Sequence, residues 1–240
     1  MNYMEMVTRL GEASAHPGGF KATAGLLKRK RLPKGSKVLE VGCGAGRTAC
    51  YMARQGYVVT AVDTNAGILE KARRRAEKAG LSIRFLEADA QSLPFVDESF
   101  DMVFVESVTV FTDAELALKE YWRVLKKGGR LYDREIILFG SPGERIRSKF
   151  IRFYGLRTLI PLAEWLRLLK KARFTGSKTV VVKRSIPFVV ELDNHRESDP
   201  GAILEPGLLA TAHKNYVLLT RYRKYLGYAV FSGVKEGGTF

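Results

Sequence analysis

The chain has 240 residues, 46% of them hydrophobic, enough to bury a sizeable core within one α/β domain. No apolar run approaches the roughly 18 residues of a membrane-spanning helix, and Met1 to Met6 show no basic region leading into an apolar stretch, so neither a membrane anchor nor a signal peptide is expected. The net charge of +15 leaves RNA, anionic lipid or an acidic small molecule open as partners beside a plain solvated basic surface; the two cysteines, Cys43 and Cys50, are too few for a disulfide framework or a metal site and fit a reducing, cytoplasmic setting.

Residues before Pro33 read as a helical extension, interrupted by a flexible loop at His16-Pro17-Gly18-Gly19. Lys37 to Val41 is a short apolar run ending in glycines, as a buried strand would. Thr48 to Gln55 follows as a helix and Tyr57 to Val62 as a second strand. Ala66 to Ala79 is a Lys-, Arg- and Ala-rich helix that Gly80 closes. Ile83 to Leu86 and Met102 to Val105 make the third and fourth strands. Asp113 can cap a helix running to Leu125, and Gly128-Gly129 turns the chain into a fifth strand from Arg130 to about Ile136. Phe139 to Ile160, basic and aromatic, reads as an inserted loop with some helix. Pro161 to Lys171 has Pro at a helix start and apolar residues at helical spacing. Thr179 to Val182 and Tyr228 to Phe231 are strand candidates; between them Pro187 to Pro206 is polar and irregular and Leu208 to Thr220 helical. Alternating strands and helices point to parallel βαβ units in a single domain.

The stretch Val38-Leu39-Glu40-Val41-Gly42-Cys43-Gly44-Ala45-Gly46 carries the chemistry. A strand enters, glycines let the backbone turn tightly against a ligand, and a helix leaves with free amides. In open α/β sheets ligands bind at the carboxyl ends of strands, where this turn lies. Its Gly-x-Gly-x-Gly spacing differs from the G-x-G-x-x-G of dinucleotide sites. A zwitterionic amino acid also needs an acceptor for its ammonium group, and Glu40 can supply one. Asp63 ends the second strand and can accept two ribose hydroxyls. Asp89 follows the third and can accept the exocyclic amine of adenine while the amide of Ala90 donates to the ring.

In order and spacing these segments resemble the class I S-adenosylmethionine-dependent methyltransferases. Val38 to Gly46 is similar to that family's first motif, Val62-Asp63 to its ribose-binding acid, and Ala88 to Phe95 to its adenine loop. Phe100 to Phe104 resembles the fourth strand and Arg123 to Gly129 the turn before the fifth. The resemblance spans roughly residues 36 to 137. It implies a Rossmann-like α/β fold: a seven-stranded, mostly parallel sheet with helices on both faces and the last strand antiparallel. Residues 1–33 would then be an extension or lid, 34–137 the cofactor core, and 138–240 a substrate-side insertion with the final strands. The implied cofactor is S-adenosyl-L-methionine, leaving as S-adenosyl-L-homocysteine, held by Glu40, Gly42, Cys43, Gly44, Gly46, Asp63, Thr64, Ile68, Asp89, Ala90 and Glu106. Ile68 would pack on the adenine, although a core position on its helix explains it as well.

Methyl transfer needs a general base only when the acceptor must lose a proton as it attacks. Glu106, Asp133 or Glu135, and His16 are the candidates, with His16 and Glu106 preferred. His195 and His213 read as structural or solvated. Arg134 reads as a surface ion-pair residue, with an acidic substrate as its alternative partner. No Asn-Pro-Pro-Tyr-like sequence follows the fourth strand, and no cysteine is placed as a nucleophile, so the expected acceptor is an O, N or C atom of a small molecule. Two other functions compete. An RNA methyltransferase would use Lys28 to Arg31, Arg73 to Arg75 and Arg221 to Lys224 to bind phosphates. An S-adenosylmethionine-binding protein without transferase activity would need no acceptor. Oligomeric state is left open. The stretch Ser148 to Tyr154 reads as a substrate lid in preference to a membrane contact.

Overall fold

The alternation of apolar runs and amphipathic segments is realised as one sheet in a computed structural model that describes residues 1–12, 14–186, 193–199 and 201–236. Seven strands lie in the order β3-β2-β1-β4-β5-β7-β6: β1 (Lys37–Val41), β2 (Val58–Asp63), β3 (Arg84–Glu87), β4 (Phe100–Glu106), β5 (Leu125–Leu138), β6 (Thr175–Lys183) and β7 (Leu226–Val234). Strands β1 to β5 pair in parallel, and β7 runs antiparallel to both β5 and β6. The order reverses direction at β1, between β2 and β4, so a crevice opens at the carboxyl end of β1.

The helices are α1 (Tyr3–Arg9), α2 (Gly19–Arg29), α3 (Arg47–Arg54), α4 (Ala66–Lys78), α5 (Ala114–Val124), α6 (Glu144–Tyr154), α7 (Leu162–Lys171) and α8 (Pro206–Arg221). Local signals set several of their ends. Asp113 caps α5, its side chain accepting from the amides of Glu115 and Leu116 at 3.0 and 3.2 Å. Gly80, with φ +63°, follows α4 where a left-handed residue is needed. Phe139 to Ile160 is more regular than a loop. Ile146, Phe150 and Tyr154 recur at helical spacing, Phe150 and Tyr154 are buried, and Gly155 (φ 75°) ends α6. Of the polar stretch 187–206, residues 187–192 and 200 lie outside the described residues, and Ala202–Leu204 forms a 3-10 turn.

Strand parity divides the core. Leu39, Val41, Val103, Val105, Leu131 and Ile137 face α5, α6 and α7, in the cluster that holds the fully buried Trp165. Val38, Ala61, Met102, Phe104 and Tyr132 face the other way, onto α2, α3 and α4. By the same alternation Glu40, Asp63, Glu106 and Arg134 belong to the α2–α4 face, and Asp133 and Glu135 to the α5–α7 face.

Candidate cofactor and active site

Glycine is required where the β1–α3 turn bends. Gly42 has φ +71°, and a Cβ there would lie 2.1 Å from Val108 Cγ2, because the loop after β4 packs directly on the turn. Gly44 differs: φ is +50° and nothing lies within 4 Å of where its Cβ would be, so the turn is open at that point. Gly46 caps α3 in the left-handed conformation and packs on Ala72 of α4. The amides of Gly42 and Cys43 donate to the carbonyl of Val62 at 2.8 and 2.9 Å, which ties the turn to the end of β2. The Cys43 side chain is buried, and burial pushes its thiol well above the ordinary range, so it packs as an apolar group.

Around this turn the sheet gathers carboxylates. Glu40 is buried and its Oε2 has no hydrogen-bond partner among the described residues. Burial first, then the charges of Glu106 and Asp63, raise its carboxyl well above the usual range. Asp63 Oδ2 accepts from the Gly44 amide at 2.9 Å and Oδ1 from the Asn65 amide at 3.0 Å; burial raises this acid as well, against the lowering effect of those donors. Asp89 lies exposed beyond β3, where the Ala88 amide donates to the Asp63 carbonyl. Its Oδ1 accepts from the Gln91 amide at 2.8 Å. Ala90 is buried, Thr64 is exposed, and Ile68 is buried in the first turn of α4.

Glu106 joins the N-terminal segment to the sheet. Its Oε1 accepts from Thr23 Oγ1 at 2.6 Å and Arg134 Nε at 2.8 Å, and its Oε2 lies 3.3 Å from His16 Nε2 and 3.5 Å from Thr48 Oγ1. Arg134 also donates to the Pro17 carbonyl at 3.0 Å. Its guanidinium is 2% exposed, so the expected surface ion pair is instead a buried one, since β4 and β5 pair Glu106 with Arg134 on the covered face. Gly18, with φ +90°, lets His16 to Gly19 cross this spot: a Cβ would meet the Tyr228 hydroxyl at 2.8 Å. Sequence reasoning missed Thr23 and Thr48.

Asp133 and Glu135 face away from this cluster and are fully buried. Thr109 Oγ1 donates to Asp133 Oδ2 at 2.9 Å, and Glu135 Oε1 accepts the amides of Val108 and Thr109 at 3.0 and 2.8 Å. Their remaining oxygens, Asp133 Oδ1 and Glu135 Oε2, have no hydrogen-bond partner among the described residues. Burial raises both acids, and for Glu135 the charge of Asp133 adds to the effect. Glu135 thus anchors the 107–109 loop, in which Ser107 has φ 56°, on the face away from the glycine turn. His195 and His213 are exposed, away from the cluster.

The methyltransferase-domain family matches residues 39–133. Along nearly its whole length the chain resembles an uncharacterized methyltransferase, YodH, of Bacillus subtilis, with 33% identity over 97% of this chain and 99% of that one. The chain belongs to the methyltransferase family. A demethylmenaquinone methyltransferase of Thermus thermophilus is 38% identical over 55% of this chain and 60% of its own. Among solved structures, a phosphoethanolamine N-methyltransferase 2 of Haemonchus contortus superposes with a TM-score of 0.76 at 21% identity, over 98% of this chain and 57% of that longer one. The cyclase SpnF superposes with a TM-score of 0.73 at 23% identity, over 98% and 94%. These two likenesses show the fold alone.

Proposed function

We propose that this methyltransferase uses S-adenosyl-L-methionine to methylate an O, N or C atom of a small molecule. One observation carries the reading. The buried Glu40 carboxylate has an oxygen without a protein partner, beside a turn left open at Gly44 and within electrostatic reach of Asp63 and Glu106. Such a site fits a ligand bearing positive charge on an amino acid and a sulfonium, and repels a dinucleotide pyrophosphate. Several solved structures of this fold contain S-adenosylmethionine or S-adenosylhomocysteine.

Glu40 would hold the ammonium, Gly42, Cys43, Gly44 and Gly46 would line the amino-acid portion through their backbone, Asp63 and Thr64 would meet the ribose, and Ile68, Asp89 and Ala90 the adenine. When bound, the cofactor supplies a methyl group on a sulfonium, activated for in-line displacement, and leaves as S-adenosyl-L-homocysteine. Glu106 orients His16 through Nε2, and in its neutral form the imidazole takes a proton from the acceptor as it attacks. Holding the acceptor in line supplies much of the remaining rate. In this reading residues 1–33 act as a lid fixed by Arg134, residues 34–137 form the cofactor core, and the rest shapes the acceptor side.

The test is incubation with methyl-labelled S-adenosylmethionine and a fractionated cell extract. Label is expected in a low-molecular-weight product. Label in RNA would replace the small-molecule reading, and cofactor binding without any labelled product would leave a binding protein. The arginines at 73–75 weigh against RNA: Arg73 pairs with Glu70, Arg74 with Glu197, and Arg75 with the buried Asp193.

A further inference from the structure

Seven of the eleven exposed large apolar side chains among the described residues gather at one corner of the molecule. Met1 and Met4 lie at the N-terminus, Ile203 and Leu204 on the 3-10 turn, and Leu209, Tyr216 and Val217 on α8. These pieces are joined. Thr211 Oγ1 donates to the Met1 carbonyl at 3.1 Å, and the turn leads directly into α8. On α8 the positions 208, 211 and 218 are buried, so Leu209, Tyr216 and Val217 lie on its outward side. Leu204 is 84% exposed, the largest value in the group.

Bases outnumber acids beside this corner, where Glu5 lies in the first turn of α1 and Glu205 pairs with Arg9. No acid occurs from Pro206 to Lys235, and on α6 the only acid is Glu144. The two helices are held together by a hydrogen bond from Tyr154 Oη to Asn215 Oδ1 at 2.7 Å and by one from Lys149 Nζ to Tyr222 Oη at 3.3 Å. Arg145, Lys149 and Arg152 of α6 are exposed, as are Lys214, Arg221, Arg223 and Lys224 of α8 and its C-terminal turn. Several rest on aromatic rings, Lys214 on Phe153 at 5.3 Å and Lys224 on Tyr225 at 4.9 Å, with their stems laid on the surface and their heads in water. The arginines of α4 are by contrast matched by acids.

Exposed aliphatic residues bordered by unmatched bases make an interfacial surface: the apolar group enters the acyl boundary while the bases meet anionic headgroups. We propose that the corner formed by α1, the 202–204 turn and α8, with the adjoining basic face of α6, docks on an anionic lipid bilayer. On RNA the exposed aliphatic side chains here would have nothing to contact.

Flotation of the full chain with vesicles tests this. Vesicles of equal parts phosphatidylcholine and phosphatidylglycerol should carry the protein upward, and vesicles of phosphatidylcholine alone should not. Leu209→Glu combined with Val217→Glu should abolish flotation, and each of Lys149→Gln and Lys214→Gln should weaken it about fivefold at low salt. Melting temperature with and without S-adenosylhomocysteine should stay as in the parent, since these exposed residues lie outside the cofactor site. Absent flotation, equal flotation on neutral vesicles, or flotation that the double substitution leaves intact would overturn the proposal. So would a dimer that the double substitution splits, which would assign the corner to a second copy, or RNA retention without lipid binding.

Discussion

Two groups of acids stand at the carboxyl end of the same sheet, one residue out of phase, and have opposite fates. Glu40, Asp63 and Glu106 lie on the α2–α4 face, where Glu40 keeps an oxygen without a protein partner beside an open glycine turn. Asp133 and Glu135 lie on the α5–α7 face, where Thr109 and the Val108 amide donate to them. The first group is unsatisfied in a way a cationic ligand would correct. The second lies away from that turn, and through the amides of Val108 and Thr109 serves to hold a loop. Burial alone does not mark a functional acid; what each buried acid stands beside does.

The contrast can be broken from either side. The largest effect should come from His16→Ala, which removes the proposed base: kcat should fall about 100-fold or more with cofactor affinity kept. Measuring kcat separately from KM checks this, and a change confined to KM would return His16 to a positioning role in the lid. Next, Glu135→Ala leaves two amides without their buried partner and should cost about 3 kcal/mol, or roughly 6–12 °C in Tm. Cofactor binding should survive below the lowered Tm; loss of binding in a folded variant would place the pair in the site after all.

Glu40→Gln should separate stability from binding. It removes a buried charge that repels Glu106 and Asp63, so the ligand-free protein should be more stable by about 1 kcal/mol near neutral pH. Affinity for S-adenosylhomocysteine should fall about tenfold. Melting curves with and without ligand test both halves, and a variant that is less stable and binds normally would contradict the assignment.

The smallest effect is on pH dependence. Raised carboxyl values in Asp133, to about 7, and in Glu135 mean that the folded protein holds protons the unfolded chain has released. Stability from this pair is therefore full below the unfolded carboxylate value and is lost as pH rises through neutrality. Glu135→Gln removes one of the two raised titrations, so Tm should vary less between about pH 5 and pH 8 than in the parent. An unchanged pH profile would show that the raised Glu135 carboxyl does not contribute.

The difference between the two acid groups also shows what the sequence made legible. β1 was read at its observed bounds, and the glycine turn, Asp63 and Asp89 at three successive strand ends, because short buried strands ending in glycines or acids have a strong local pattern. Asp133 and Glu135 were weighed as bases because position near the end of β5 was visible while the face they occupy was not. Face depends on register with β4 and β7, a tertiary property. The same reason hid the burial of Arg134, and Thr23 was missed because a lone threonine on an amphipathic helix carries no signal until Glu106 is brought to it across 83 residues. Helix α6 exceeded its expectation because its apolar spacing was masked by arginines and lysines on the outward side.

The central claim is that the open acid group is built for S-adenosylmethionine, and calorimetric titration of the protein with S-adenosylhomocysteine and with NAD tests it most directly. S-adenosylhomocysteine should bind at one site per chain, Glu40→Gln should weaken it about tenfold, and NAD should give no heat of binding. NAD binding in the absence of S-adenosylhomocysteine binding would contradict the account.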